Sequence, residues 1–377
     1  MGASVAFHLA SRGVRQIVLV ERESQLGAGS TGRNAGGVRH QFTSLQNVQL
    51  SIESIRAIAR FRDEVGAEVD FHRDGYLFLL SSQASLATFR AAVELQRGLG
   101  VDVDVLAPAD AARMVPGLDV GGVLAATFCA EDGIADPGGL TLGYARAAHA
   151  QGVEIVRGVA VTGIRLAGGR VAGVITDAGA IETRTVVNAA GPWAGSVGRM
   201  AGLELPIRPL RRHVFLAEPS QGTWDDAAHA GLVPASRVMV IDFETSFYFH
   251  REGGRLLFGM GDPNEPYGFD TTVRWDFLPD VVQAAGGRLP ALLDAQISHA
   301  WAGLYEMTPD RMPIIGGTSL EGYYVIAGFS GHGFQHSPAA GRVLADILVG
   351  RPPGIDVAPF AFSRFERGIT DTEAGVV

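Results

Sequence analysis

Four glycine-bearing bends, each closing an apolar run, constrain this chain more than any other feature. The first stretch, "GASVAFHLASRGVRQIVLVE", places Val5, Phe7 and Leu9 at helical spacing, stops at Gly13, and resumes as a short apolar strand over residues 17–20 that ends in Glu21. Its order is helix, turn, strand, acid. In a dinucleotide-binding βαβ unit the third glycine of G-x-G-x-x-G opens the helix, and an acid about 20 residues on holds the ribose hydroxyls. Gly2 and Glu21 are 21 − 2 = 19 positions apart. The other bends are "GAGSTGRNAGG", "NAAGPWAG" and "AGFSGHGF". One such bend is commonplace, but four in an alternating helix–strand chain imply a ligand long enough to touch them all, and that points to a dinucleotide.

Met1 stands one residue ahead of Gly2, so the motif's first strand and first two glycines do not precede it in this sequence. Two alternatives follow. Either the chain runs further upstream of Met1, or the sheet lacks its middle strand and holds a dinucleotide poorly.

The remaining pattern divides the chain. With 377 residues, 47% of them hydrophobic, there is enough material for two packed domains. After residue 43, "SLQNVQLSIESIRAIARFRDEV" predicts a helix, "VDFHRDGYLFLLSS" a hairpin turning at Asp74-Gly75, and "QASLATFRAAVELQRGLG" a second helix. Helix–strand alternation returns from residue 133, strands dominate again over about 206–301, and the last block reads strand, glycine loop, helix. Ser337-Pro338 predicts the start of that last helix, because serine caps free N–H groups and proline suits the first turn. The expected fold is α/β. A Rossmann-like dinucleotide domain, its first strand apparently truncated, takes 1–43, 133–205 and 302–365; it interleaves with an α+β substrate domain on a mixed or antiparallel sheet from 44–132 and 206–301, followed by a tail at 366–377.

Composition excludes several chemistries. Lysine is absent, so the 31 basic Lys+Arg residues are all arginine, and Schiff-base, pyridoxal-phosphate and Walker A chemistry are ruled out. The single cysteine, Cys129, excludes an intrachain disulfide and reads as a small buried residue, and no metal site is expected. A net charge of −9 argues against nucleic acid and anionic membranes as partners. No apolar run suits a membrane span and no signal peptide is recognisable, so a cytoplasmic location is expected.

The motifs "GLYEMTPDRMPIIG", "GFSGHGFQHSPAAGR", "VVNAAGPWAG" and "DGIADPGGL" resemble the FAD-dependent oxidoreductases grouped with D-amino acid, glycine and sarcosine oxidases. The resemblance spans nearly the whole chain and is strongest to the sarcosine oxidase β-subunit and dimethylglycine dehydrogenase branch. It implies that Glu21, with Arg22 beside it, binds the adenosine ribose and that Gly2 opens the helix facing the pyrophosphate. Ser30, Thr31, Arg33, Asn34, Ala35 and Gly36 would line the pyrophosphate and flavin side, with Val159, Gly191 and Trp193 near the dinucleotide. Gly303, Gly331, His332, Gly333, Phe334 and Gln335 would face the flavin.

Arg39 occupies the position that clamps a substrate carboxylate in amine-oxidising members, although a salt-bridged surface arginine reads the same way in sequence. Tyr248 matches a tyrosine reaching the substrate pocket, or an aromatic packed in a strand. Together with His332 and Gln335 these are the candidate catalytic residues. Gly303 stands where some members carry a flavin-tethering cysteine, and Arg33 near where others carry a histidine, which implies noncovalent FAD. Leu257 and Gln335 replace lysines of the oxidases, which implies a dehydrogenase. The implied activity is oxidation of a small secondary or tertiary amino acid (sarcosine, dimethylglycine, proline or glycine type) by hydride transfer to flavin N5, with a separate electron acceptor or partner subunit. The alternative is an FAD-binding subunit or assembly factor with little catalysis of its own.

Overall fold

The computed structural model describes residues 1–369 and 372–376; residues 370, 371 and 377 of the expected tail lie outside them. Its largest unit is an eight-stranded mixed sheet in the order Ala295–Met307, Arg208–Pro219, Arg255–Met260, Tyr248–Glu252, Met239–Asp242, Tyr76–Leu80, Ala125–Cys129, Asp104–Leu106. Neighbours run antiparallel except Met239–Asp242 beside Tyr76–Leu80. Alternation gives this sheet two different faces. Along Arg208–Pro219, Phe215 and Ala217 turn into a core with Phe249, Phe258 and Trp224, covered by the helix Leu278–Gly286. Trp224 buries its ring there and donates its indole N–H to the Ala217 carbonyl at 3.0 Å. Arg212 and Val214 turn the other way, toward a cavity shared with the rest of the chain.

That remainder holds the short parallel strands of the dinucleotide half. Val18–Glu21 pairs with Glu154–Arg157, while Val186–Asn188 pairs with Tyr323–Ala327, which in turn takes Ile314–Gly317 antiparallel. These two groups are separate sheets, and the facing strands Val18–Glu21 and Val186–Asn188 both line the cavity between them. Asp136 starts the helix Pro137–Ala150 by accepting from the Gly138 and Gly139 N–H groups, each at 2.8 Å, ahead of the proline-led first turn. The helices Gly2–Ser11 and Gly333–Leu348 cross where Gly341 leaves room for Ser4; a Cβ at 341 would meet the Ser4 backbone at 3.0 Å.

Two local expectations need correction. Residues around Asp74-Gly75 do turn, with Gly75 at φ +89°, but no hairpin forms. Phe71–His72 pairs with Gly133–Ala135, whereas Tyr76–Leu80 enters the large sheet. Each strand finds a better-covered partner far away in sequence, which overrides the local turn signal. The last long helix begins at Gly333 with His332 as its N-cap, and Pro338 lies inside it. Ser330 (φ +50°) and Gly331 (φ +102°) make the turn that launches it, so the glycine motif is the helix's own entry and first turn.

Candidate flavin and substrate site

The interface of the two halves encloses a cavity of about 1210 Å³. This exceeds the ~300–1,000 Å³ usual for a small ligand. Both helix N-termini, at Gly2 and at Gly333, open onto it, offering backbone N–H groups and the positive ends of two dipoles. Glu21 lines it from the end of its strand; one carboxylate oxygen accepts the Glu23 N–H at 2.9 Å, leaving the other available. Arg22 stacks over the Trp193 ring at 4.4 Å.

The loop after the first strand is stapled to the strand Ala295–Met307. Ser30 Oγ donates to the Leu304 carbonyl at 2.6 Å, Arg33 donates to the Ala302 carbonyl at 2.9 Å, and the Trp301 indole returns a bond to the Arg33 carbonyl at 2.9 Å. Gly303 permits this closeness, since a Cβ there would sit 3.1 Å from that of Arg33. Ser30, Thr31, Arg33, Asn34, Ala35, Val159, Gly191, Trp193, Gly303, Gly331, His332, Gly333, Phe334 and Gln335 all line the cavity, as do Gly2, Glu21 and Arg22. Gly36 does not; at φ +73°, with its N–H donated to Asn34 Oδ1 at 2.6 Å, it shapes the loop instead.

The wall contributed by the large sheet is aromatic. Three tyrosines, Tyr76, Tyr248 and Tyr305, each pack over a glycine of another segment. A Cβ at Gly37 would collide with Tyr76, one at Gly259 would lie 2.5 Å from the Tyr248 hydroxyl, and one at Gly331 would lie 2.6 Å from Tyr305 Cζ. Burial, with the other two tyrosines close by, pushes the Tyr248 hydroxyl pKa up and keeps it a neutral donor, while Arg212 pulls the other way. Leu257 is buried on the same sheet face but does not line the cavity.

Arg39 reaches this wall from the loop side, with both Nη atoms and its backbone N–H and carbonyl engaged. Its guanidinium donates to the carbonyls of Gln41 and Gly375 and lies 3.9 Å from the centre of the Phe42 ring. Gln335 spends its side-chain amide on the same residue, accepting from Arg39 N at 3.0 Å and donating to Arg39 O at 3.1 Å. Arg39 is thus tied to the first turn of the Gly333 helix and lines the cavity there. His40 donates its N–H to buried Asp132 at 2.7 Å, and Cys129 completes that cluster. Both remaining oxygen-side contacts of Asp132 go to the His40 ring and Gln41, and burial holds the Cys129 thiol protonated.

Several buried wall atoms have no partner among the described residues: both ring nitrogens of His332, Glu306 Oε2 and Arg212 Nε. Burial, then the Arg39 charge, holds His332 neutral. Burial likewise raises the Glu306 carboxyl, against the opposing N–H groups of Gly328 and Phe329. Unsatisfied polar atoms on a closed wall call for a polar ligand, and donors at two helix tips beside a strand-end acid suit a dinucleotide with a polar ring. Tyr76, Tyr305, Glu306 and Arg212 escaped the sequence reading; for Tyr305 and Glu306 the signal was inside the "YEMTPD" motif itself.

A dinucleotide-sized cavity running under the tyrosine-bearing face of a large mixed sheet fits a flavin-dependent oxidoreductase. A family model described as FAD dependent oxidoreductase (DAO) matches residues 1–347, and the chain belongs to that family. It is 29% identical to mouse (Mus musculus) mitochondrial sarcosine dehydrogenase over 98% of its own length but 41% of that protein's, so it spans about two fifths of that relative. It is 31% identical to FAD-dependent oxidoreductase domain-containing protein 1 of Bos taurus, over 98% of this chain and 83% of the other. Among solved structures, L-proline dehydrogenase from P. horikoshii superposes with a TM-score of 0.87 at 33% identity, covering 98% of this chain and 96% of that one. FAD is therefore the chain's cofactor. Among the described residues, no helix is long and apolar enough to cross a membrane.

Proposed function

We propose that the protein oxidises a small secondary or tertiary amino acid of the sarcosine, dimethylglycine, proline or glycine type, and that it works as a dehydrogenase. One observation carries this: Tyr76, Tyr248, Tyr305, Arg39 and Arg212 all line the one cavity, which puts aromatic rings and hydroxyls beside two cations. Bound FAD supplies the acceptor for the hydride that leaves the carbon next to the substrate nitrogen, and the resulting imine hydrolyses in water. The chain's own part is placement. The tyrosine rings crowd water from the reacting carbon, a guanidinium orients the substrate's acid group, and the substrate enters as the neutral amine, with the buried Glu306 carboxyl, its pKa raised, as the nearest acid on the wall. The N-terminus of Gly333–Leu348 favours negative charge at the end of the cavity it faces.

FAD would be held noncovalently, by Glu21, by the 30–35 loop and by both helix tips, since Gly303 offers no thiol and Arg33 is bonded to Ala302. Transfer of electrons to a separate acceptor, in place of oxygen, agrees with a chain that has no lysine to set over the ring.

The test is to add sarcosine, dimethylglycine, proline and glycine to the FAD-loaded protein without air and follow the flavin absorbance. Bleaching by at least one supports an enzyme of this class. No bleaching with any of them, from protein that holds FAD tightly, removes the catalytic role. That outcome would favour an FAD-binding subunit or assembly factor with little catalysis of its own.

A further inference from the structure

We propose that Arg212, rather than Arg39, anchors the substrate's carboxylate; this rests on the amino-acid reading above. Arg212 and its neighbour Arg211 sit side by side on the strand Arg208–Pro219, and alternation sends them to opposite faces. Arg211 is neutralised by Glu265 and Asp270 at 2.8 and 2.6 Å. Arg212 forms no salt bridge among the described residues; Nη1 reaches the Arg211 carbonyl at 3.2 Å, and its buried Nε has no partner. The guanidinium carbon lies 5.2 Å from the centre of the Tyr305 ring. Across the strand pairing, Gly261 leaves space for it, because a Cβ there would be 3.3 Å from both Cζ and Nε.

Arg212 also stands where two cavities meet. It lines the FAD cavity and an adjoining one of about 750 Å³, together with Ser246, Gly261 and Val376. The other cation of the second cavity, Arg288, is spent on Asp242 at 2.7 Å. An amino acid arriving at this junction meets in Arg212 a guanidinium that faces no carboxylate and bonds only the Arg211 carbonyl, while both Nη atoms of Arg39 are bonded, to the Gln41 and Gly375 carbonyls. A partly buried cation without an anion is costly, and a bidentate carboxylate relieves it. Arg39 then acts as a staple joining the 37–42 loop, the Gly333 helix and the chain's last described residues.

The experiment is a titration of FAD-loaded protein with acetate and benzoate, read by the change in flavin absorbance, alongside KM and kcat for whichever amino acid bleaches the flavin. Arg212→Met is expected to weaken carboxylate binding and raise KM by roughly 10- to 100-fold, the scale of a lost charge-assisted hydrogen bond, with Arg212→Lys recovering part of it. Unchanged affinity in both variants, or loss in Arg39→Lys with Arg212→Met unaffected, overturns the assignment. So does a wild type that binds neither acid. Carboxylate binding lost in Arg212→Met, by a wild type that oxidises no amino acid, sustains the anchor while ending the proposed reaction.

Discussion

Gly331→Ala is expected to damage the protein twice, and the two parts can be separated. The residue adopts φ +102°, where a side chain strains the backbone by ~1–3 kcal/mol. The new Cβ would also press on the Tyr305 ring, with Cζ at 2.6 Å and Cδ2 at 2.8 Å, both far inside contact distance. Tyr305 cannot simply swing away, because it is one wall of the pocket and belongs to a strand paired along twelve positions with Arg208–Pro219. Overpacking of this kind costs ~1–3 kcal/mol, so the single substitution should destabilise by ~2–6 kcal/mol. Adding Tyr305→Ala removes the ring but not the torsion. The double variant should therefore regain ~1–3 kcal/mol relative to the sum of the singles and still retain the backbone share. Urea unfolding of the four members of this cycle, each loaded with FAD, measures it. A Gly331→Ala loss under ~0.5 kcal/mol, or a strictly additive cycle, refutes the packing described for this wall.

Acid should destabilise the fold beginning near neutrality. His332 and His336 are held well below the ordinary value of 6.5, chiefly by burial, so the folded state stays unprotonated while the unfolded chain takes up protons. Their contribution is intact above about pH 6.5 and declines as pH falls below it, with a slope of up to ~2.7 kcal/mol per pH unit for the two together; His332→Asn should roughly halve that slope in unfolding curves from pH 7 to 5. Glu21→Ala should weaken FAD binding by roughly 10- to 100-fold, the scale of hydrogen bonds to a charged group, measured by titrating apoprotein; unchanged affinity would place the ribose elsewhere. Precipitation in acid should leave a colourless pellet and a yellow supernatant, and colour retained in the pellet would show a covalent link.

Much of the site was legible because it is local. The 19-residue interval from Gly2 to Glu21, the loop from Ser30 to Ala35 and the 331–335 segment are contiguous stretches whose spacing reports a turn, a helix tip or an acid at a strand end. Of the cofactor residues read this way, Gly36 alone falls off the cavity wall, and it sits in the same loop. Helical stripes such as Leu45–Ala59 and Gln83–Gly98 were equally plain. The misplaced start of Gly333–Leu348 shows the limit of local signals: Ser337-Pro338 is a good opening pair, but the turn at Ser330 and Gly331 acts first.

What the amino-acid order determined by itself, then, is the kind of ligand and the family, because backbone bends and helix ends depend on neighbours a few positions apart. Which side chains gather on the sheet's side of the cavity was decided by tertiary structure, although Tyr248 could be singled out in the sequence. Tyr76, Tyr248 and Tyr305 come from three strands of one sheet, and they meet only because three distant glycines lack a side chain. Arg211 and Arg212 are indistinguishable as adjacent letters; the pairing of Arg212 with Gly303 and of His213 with Met260 sends one to an acid pair and the other to the cavity. A shift of one residue in that register would exchange them, since the faces of a strand alternate with every residue.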